Sequence, residues 1–228
     1  MPEWRSTKKR RRRLTASGME KTLEECLGDL PDEDEVVRLV TLKGYDAVGI
    51  LRYIVERRHV RWLGIVSLRV GPTCRRYLES AAERGLIDRA DFLLGHLSAM
   101  PHGDQRDDAE RLFALCRERG WTMRSSQNHA KVYLFETDDG DYVVESSCNM
   151  NAIPNSEFFI VQRDQELLEF YRGVFFEQEE QTELPAEAPA AAETENTWQD
   201  PDSPLSCSKQ KARATSPRRK LSSVRPAK

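Results

Sequence analysis

Between residues 35 and 178, short runs rich in β-branched and other apolar residues alternate with segments whose apolar side chains recur every three or four positions. Runs of the first kind predict β-strands, and segments of the second kind predict amphipathic helices. The strands are predicted at 35–42, 60–68, 90–97, 121–126, 131–135, 142–147 and 157–162, and the helices at 46–58, 74–85, 107–120 and 164–178. Alternating strands and helices that end in a cluster of strands predict an α/β domain, in which a mixed β-sheet is flanked by helices.

The two ends of the chain lack this pattern. Residues 1–33 are charged and have no sustained periodicity apart from a short helical segment within 19–30, so we expect a basic, largely flexible N-terminal arm. Residues 181–228 are first acidic and rich in Ala and Pro, and then basic and rich in Ser and Pro. Such compositions bury too little apolar surface to fold alone, which predicts a disordered tail. A single domain, spanning 34–180, is expected between these ends.

Charge is distributed unevenly along the chain. Seven of the first 13 residues are Lys or Arg, and eight more basic residues lie between Lys209 and Lys228, whereas residues 14–182 contain 20 basic and 31 acidic side chains. Basic runs are typical of arms that bind nucleic acid or another polyanion, and equally of solubilising tails. Nucleic acid is therefore an expected partner, although the acidic middle of the chain would repel it unless charge is sorted locally.

The cysteines and the hydropathy pattern indicate the cellular compartment that is expected for this protein. The five cysteines are odd in number and widely spaced, without a C-x-x-C pair, so neither a disulfide framework nor a zinc site of the usual spacing is expected. No apolar stretch follows the N-terminal basic run, and no run approaches the roughly 18 apolar residues that a spanning helix needs. We therefore expect a cytoplasmic protein without stable membrane insertion.

A group of polar side chains surrounds the last predicted hairpin. His129 and Lys131 stand two residues apart at the start of an apolar run, and on a strand such residues point to the same face. Ser147 and Asn149 follow the returning strand, which the hairpin brings back beside His129. These four side chains are expected to share one edge of the sheet, where Glu157 of the next strand could reach the imidazole.

Three motifs in this region resemble the signature of the phospholipase D superfamily, which reads H-x-K-x(4)-D, then G-S-x-N, then N-x-E. The corresponding stretches here are His129-x-Lys131-x(4)-Glu136, Ser146-Ser147-Cys148-Asn149 and Asn155-Ser156-Glu157. Two positions depart from the pattern, since Glu136 replaces an aspartate and Ser146 replaces a glycine. The motifs cover about 30 residues, and the order of strands and helices extends the resemblance more weakly over about 35 to 180. It implies the fold of one phospholipase D-like half-domain.

The resemblance also implies a reaction that needs neither a metal nor another cofactor. His129 would attack phosphorus and form a covalent phosphohistidine, while Lys131 and Asn149 bind the non-bridging oxygens. Ser147 would be a supporting donor, and Glu157 would orient the histidine ring. In the family, the acidic residue at the position of Glu136 mainly supports structure.

The chain contains one copy of the H-x-K motif, because neither His59 nor His96 has a lysine two residues later. Family members with a single copy pair two histidines across a two-fold axis, so the resemblance implies a homodimer with His129 at that axis. Residues 95–104, which overlap the end of the predicted strand 90–97 and include His96 and His102, are interpreted as a loop that we expect at the rim of the site. Cys148 is interpreted as a filler between Ser147 and Asn149.

Three functions remain open at this level. The basic ends favour a metal-independent nuclease, a phosphodiesterase that acts on DNA or RNA. The alternative is a catalytically inactive scaffold with the same fold, which binds nucleic acid or a partner protein. A third, lipid headgroup transfer at a membrane surface, requires an apolar docking face that is not evident in the sequence.

Overall fold

In a computed structural model, the structure describes residues 10–17, 23–42, 45–95, 104–151 and 155–177, all within the first of two compact units, Met1–Ala188. Within these ranges the chain forms eight strands and five helices. The strands are β1 Arg11–Ser17, β2 Glu35–Leu42, β3 Val60–Ser67, β4 Ile87–Gly95, β5 Thr122–Ser126, β6 Val132–Thr137, β7 Gly140–Ser146 and β8 Ser156–Arg163. The helices are α1 Leu23–Leu27, α2 Ala47–Val55, α3 Pro72–Glu83, α4 Asp104–Arg119 and α5 Gln165–Phe175.

The strands form one mixed sheet in the order β1-β2-β8-β7-β6-β3-β4-β5. The pairs β1–β2, β3–β4 and β4–β5 are parallel, whereas β8 is antiparallel to both β2 and β7, and β6 is antiparallel to both β7 and β3. The predicted α/β class, a mixed sheet flanked by helices, is therefore confirmed. These directions bring the carboxyl ends of β3 and β7 and the amino ends of β6 and β8 to one edge, on four adjacent strands.

The two faces of the sheet are covered unequally. Helices α1 to α4 pack on one face over the larger core, which includes Leu27, Ile50, Leu78 and Leu112. Helix α5 packs on the other face, where Leu168 meets the smaller core of β3, β4, β6 and β7. Among the described residues, α5 is the helix on this face, and Leu14 of β1, Val40 and Leu42 of β2 and Phe158 of β8 are exposed there.

Strand β1 corrects the expected N-terminal arm. Arg11–Ser17, inside the segment predicted as largely flexible, pairs in parallel with β2 along its whole length. Three arginines in or next to β1 pair with carboxylates: Arg10 binds Asp164, Arg11 binds Asp34 at 2.9 Å, and Arg13 lies 3.4 Å from Glu35. A charged sequence can form an edge strand when neighbouring carboxylates neutralise it, and local periodicity does not reveal those partners.

The other elements follow the predicted pattern closely. Strand β2 has the predicted bounds, and α2 and α5 lie inside their predicted ranges. Helix α3 begins two residues before the predicted start at residue 74, because Gly71 is the N-cap and Pro72 occupies the first turn. Residues 181–228 lie outside the described residues, so the disordered tail stays a prediction. None of the described helices combines the length and apolarity needed to cross a bilayer.

Gly64 is required by close packing beneath α5. A Cβ atom at Gly64 would lie 2.6 Å from Trp62 Cη2 and 3.1 Å from Phe176 Cε2. We expect Gly64→Ala to lower the free energy of unfolding by about 1–3 kcal/mol, as overpacked cores do. Gly173→Ala is the control, since a Cβ there meets its nearest neighbour at 3.7 Å and alanine favours the helix by about 0.5–1 kcal/mol. Urea denaturation of both variants measures the difference, and equal effects would contradict the packing argument.

Candidate active site

The residues of the three motifs lie at the edge of the sheet formed by the amino ends of β8 and β6 and the carboxyl ends of β7 and β3. We call this place the motif edge. Asn128 to Lys131 precede β6 as irregular backbone, so His129 and Lys131 stand just before the strand and not within it. The Ser146 N–H donates to the Lys131 carbonyl at 3.0 Å, which joins the first motif to the second. The Ser147 N–H donates to the Phe158 carbonyl at 3.3 Å, which joins the second motif to the third.

His129 is exposed and Lys131 is half-buried. The Lys131 ammonium donates to the backbone carbonyl of His129 at 2.5 Å, which ties the cation to the backbone at His129. Toward the other described residues the His129 ring makes no hydrogen bond. Its nitrogens are therefore accessible from solvent at this edge.

Ser147 and Glu157 are bound to each other. The Ser147 hydroxyl donates to the Glu157 carboxylate and accepts the Phe158 N–H at 3.1 Å. The sequence predicts that Glu157 orients the His129 ring, but in the structure its described side-chain partner is Ser147. Because the hydroxyl has one proton, Ser147 can donate to a ligand only after this bond breaks.

Ser146, which stands where the resembling family has glycine, is bonded on both sides. Its hydroxyl accepts the Cys148 N–H at 2.8 Å and donates to the Phe158 carbonyl at 3.1 Å. The side chain thus closes the turn after β7 and ties it to β8. As a consequence, the Cys148 N–H is already occupied and is not available to an anion.

Asn149 is held by the end of β3. Its Oδ1 accepts the Leu68 N–H at 3.2 Å and lies 3.4 Å from the Ser67 hydroxyl. Ser67 is fully buried, accepts the Met150 N–H at 3.1 Å and donates to the Arg69 carbonyl at 2.9 Å. With its oxygen engaged, the carboxamide of Asn149 is oriented so that its NH₂ group points away from this anchor.

Two buried groups lie beneath the site. The hydroxyl of Tyr133, a fully buried residue of β6, donates to the Cys148 carbonyl. Burial raises the pKa of Tyr133 well above its usual value, so the phenol stays protonated and remains a donor. Burial also raises the pKa of the Cys148 thiol to about 11, which makes it unreactive near neutral pH and agrees with its interpretation as a filler.

Glu136 lies at the far end of β6, away from this edge. Its carboxylate binds Arg172 of α5 and lies 3.4 Å from Arg61. The Arg172 guanidinium in turn stands 4.0 Å from the centre of the Trp62 ring. Glu136 therefore connects α5 to the sheet, and the longer side chain in place of aspartate is accommodated by this pairing.

The structure brings the predicted site residues to one edge but changes their contacts. His129, Lys131, Ser147 and Asn149 lie there, where the hairpin argument places them, and Glu157 lies beside them on β8; the catalytic roles of all five remain predictions. His96 and His102 lie outside the described residues. In the part of the chain that the structure describes, no three His, Cys, Asp or Glu side chains group as metal ligands.

Sequence reasoning missed Tyr133 and Ser67. Tyr133 lies in β6 two residues after Lys131, so the apolar run that follows the first motif gave a signal for a residue close to the site. Ser67 had none, because its partners Asn149 and Met150 are more than 80 residues away.

Comparisons with known proteins give a likeness of fold. No family model and no curated protein matches the chain. Among solved structures, a polyphosphate kinase from Porphyromonas gingivalis is similar with 16% identity and a TM-score of 0.47, over 67% of this chain and 29% of that one. A phosphatidylserine synthase from Haemophilus influenzae is similar with 14% identity and a TM-score of 0.46, over 65% of this chain and 39% of that one. The chain thus matches well under half the length of either, and its function must be argued from its own residues.

Proposed function

We propose that this chain is a member of the phospholipase D superfamily and a metal-independent phosphodiesterase that acts as a nuclease. The observation that carries the proposal is the meeting of three separate motifs at one edge of the sheet, through the bonds between Lys131 and Ser146 and between Ser147 and Glu157. An exposed imidazole beside an ammonium and an oriented carboxamide suits an anionic phosphodiester.

The reaction proceeds in two displacements. A neutral ring nitrogen of His129 attacks phosphorus, and the bond to the leaving oxygen breaks as that oxygen receives a proton from a second acid. Water then gives a proton to that second group, which the first step left deprotonated, and attacks phosphorus; the bond between phosphorus and nitrogen breaks, and the phosphate product and the free His129 ring are released. Lys131 and the NH₂ group of Asn149 stabilise the charge on the non-bridging oxygens in both steps.

The second acid in this proposal is the copy of His129 in another subunit. Support for a dimer comes from the open face of the sheet, where four large apolar side chains are exposed: Leu14 by 73%, Val40 by 46%, Leu42 by 51% and Phe158 by 46%. Val40 and Phe158 are direct neighbours on β2 and β8. We call these four residues the exposed strip. The strip adjoins the motif edge, because Phe158 follows Glu157 in the chain. A second copy docked on the strip would therefore bring two sites together.

The inactive scaffold remains the second candidate, and one observation favours it. Glu157 binds Ser147 instead of the His129 ring, and Ser146 occupies the Cys148 N–H, so two polar groups of the site are engaged within the protein. A scaffold would bind nucleic acid and leave it intact. A lipid-transfer enzyme would instead dock the apolar strip on a membrane, a face that the sequence did not reveal.

The deciding experiment incubates the full chain with labelled single- and double-stranded DNA and RNA in excess EDTA. Cleavage in EDTA, with a phosphorylated histidine trapped by rapid acid-free denaturation, is the expected result. Binding without cleavage would support the scaffold. Cleavage of phospholipid headgroups in vesicles, with nucleic acid left intact, would support the lipid enzyme.

The basic C-terminal tail is the expected arm for nucleic acid, since Arg10, Arg11 and Arg13 are already paired with carboxylates. Deleting residues 183–228 should leave the melting temperature nearly unchanged, because the segment is predicted to contribute no core. It should also flatten the salt dependence of binding, by about 0.9 in slope for each lost contact to duplex DNA. Fluorescence anisotropy from low to high salt measures this, and an unchanged slope would make the tail a spacer.

A further inference from the structure

The peptide bond between Cys148 and Asn149 has a defined direction. Its carbonyl accepts a hydrogen bond from the buried hydroxyl of Tyr133. The described part of the chain has no cis peptide, and in a trans peptide the C=O and N–H groups point in opposite directions. The Asn149 N–H therefore points away from Tyr133 and the core beneath it.

This N–H has no hydrogen-bond partner among the described residues, unlike its neighbours in the turn. The Ser147 N–H is taken by the Phe158 carbonyl, the Cys148 N–H by Ser146 and the Met150 N–H by Ser67. Asn149 itself is half-buried at the open edge. The backbone N–H groups on either side of Asn149 are thus hydrogen-bonded within the turn, whereas the Asn149 N–H, which faces outward, has no partner among the described residues.

Asn149 consequently offers donors of two kinds at the same place. Its Oδ1 is held by the Leu68 N–H, so the side-chain NH₂ is directed away from β3, and its backbone N–H is directed away from Tyr133. Backbone N–H groups aimed before the ligand arrives are effective at stabilising developing charge on oxygen. The effect of such an N–H depends on its alignment with the ligand oxygen. Tyr133 fixes the plane of this peptide through the hydrogen bond from its hydroxyl, which stays protonated.

We propose that the backbone N–H of Asn149 is an additional donor to a phosphate oxygen in the candidate site, and that Tyr133 is the positioning residue that aims it. The proposal rests on the proposed function for the identity of the ligand, a phosphodiester. It adds a contact that the side-chain motifs do not contain, and it assigns a site role to a residue that otherwise belongs to the core.

Tyr133→Phe tests the positioning role, because it keeps the ring in the core and removes the hydroxyl alone. Tyr53→Phe is the matched control: Tyr53 is also buried, and its hydroxyl also donates to a backbone carbonyl, that of Gly28, on α2 and away from the motif edge. Each variant loses one hydroxyl-to-carbonyl bond, which is buried at Tyr133 and partly buried at Tyr53, so both melting temperatures should fall, and that of Tyr133→Phe should fall further. If Tyr133 had only a structural role, the two variants would differ from the wild type in stability and not in their response to phosphate.

Inorganic phosphate provides a readout that does not depend on turnover. The chain contains five asparagines, so selective ¹⁵N-asparagine labelling gives a short spectrum in which Asn149→Ala identifies the Asn149 signals. On titration with phosphate, we expect the Asn149 backbone signal to shift in the wild type and in Tyr53→Phe, and to shift much less in Tyr133→Phe. With a nucleic-acid substrate, Tyr133→Phe should lower kcat by about tenfold to a hundredfold, as small misplacements in a site do, while Tyr53→Phe stays near the wild type.

Two results would overturn the proposal: a wild-type Asn149 backbone signal that ignores saturating phosphate, or equal phosphate responses in Tyr133→Phe and Tyr53→Phe. Failure of the proposed function looks different. In that case no phosphodiester is cleaved, while the Asn149 signal still shifts with phosphate and still depends on Tyr133.

Discussion

Replacing His129 with alanine is expected to abolish cleavage of nucleic acid in EDTA, with a loss of about 10³-fold or more. The imidazole is the proposed nucleophile, and removing a nucleophile closes the covalent pathway instead of weakening one contact in it. Because the side chain is exposed and makes no hydrogen bond to another described residue, the substitution should leave the melting temperature almost unchanged. Steady-state cleavage rates and a thermal melt measure the two quantities on one preparation.

His59→Ala is the control for this loss. His59 is bonded to Asp88 at 3.0 Å and to Asp138 at 3.2 Å, and it lies at the start of β3, the opposite edge of the sheet. The control should retain wild-type cleavage even though it removes a better-connected histidine. Full activity in His129→Ala would remove the phosphohistidine from the mechanism. A wild-type protein that cleaves nothing, and that binds nucleic acid as tightly as His129→Ala does, would favour the scaffold.

Val40→Asp is expected to convert a dimer into a monomer and to remove most of the activity with it. A two-fold interface contains each substituted residue twice, so the variant would bury two unpaired carboxylates against apolar surface. Each unpaired buried charge costs several kcal/mol, which is enough to separate subunits at micromolar concentration. Val40 is preferred to Phe158, whose backbone anchors Ser147 and whose replacement could disturb the site directly.

Sedimentation velocity and cleavage rates, measured over the same range of protein concentration, test this prediction. Ala114→Asp is the control, since Ala114 is an exposed apolar residue of α4 on the other face of the sheet. It should leave both the dimer and the activity intact. A wild-type protein that is monomeric and active would show that the site is complete in one chain. A monomer that binds vesicles through Val40 would assign the strip to a membrane.

The elements that sequence predicted well are those whose signal is local. The alternation in β2 and the spacing of apolar residues in α2 and α5 can be read from each segment alone, because burial of one face imposes the period. Strand β1 has no such signal. Two of its arginines are tolerated in an edge strand because carboxylates more than 20 residues away, Asp34 and Glu35, lie within ion-pair distance of Arg11 and Arg13.

For the candidate site, the sequence by itself determined which residue types are present and in what order. His129, Lys131, Ser147, Asn149 and Glu157 could be named from their spacing together with the resemblance of the three motifs, and the hairpin between β6 and β7 brings the first four together because its two strands are adjacent in the chain.

Only the tertiary structure decided what those side chains contact. Glu157 binds Ser147, and Asn149 is held by the end of β3, a strand that enters beside β6 from some 80 residues earlier in the chain. The open apolar strip likewise depends on which strands α5 leaves uncovered. Spacing encodes the period of each element, but the order of strands in the sheet determines hydrogen-bond partners and exposed faces, and that order follows from packing of the whole chain.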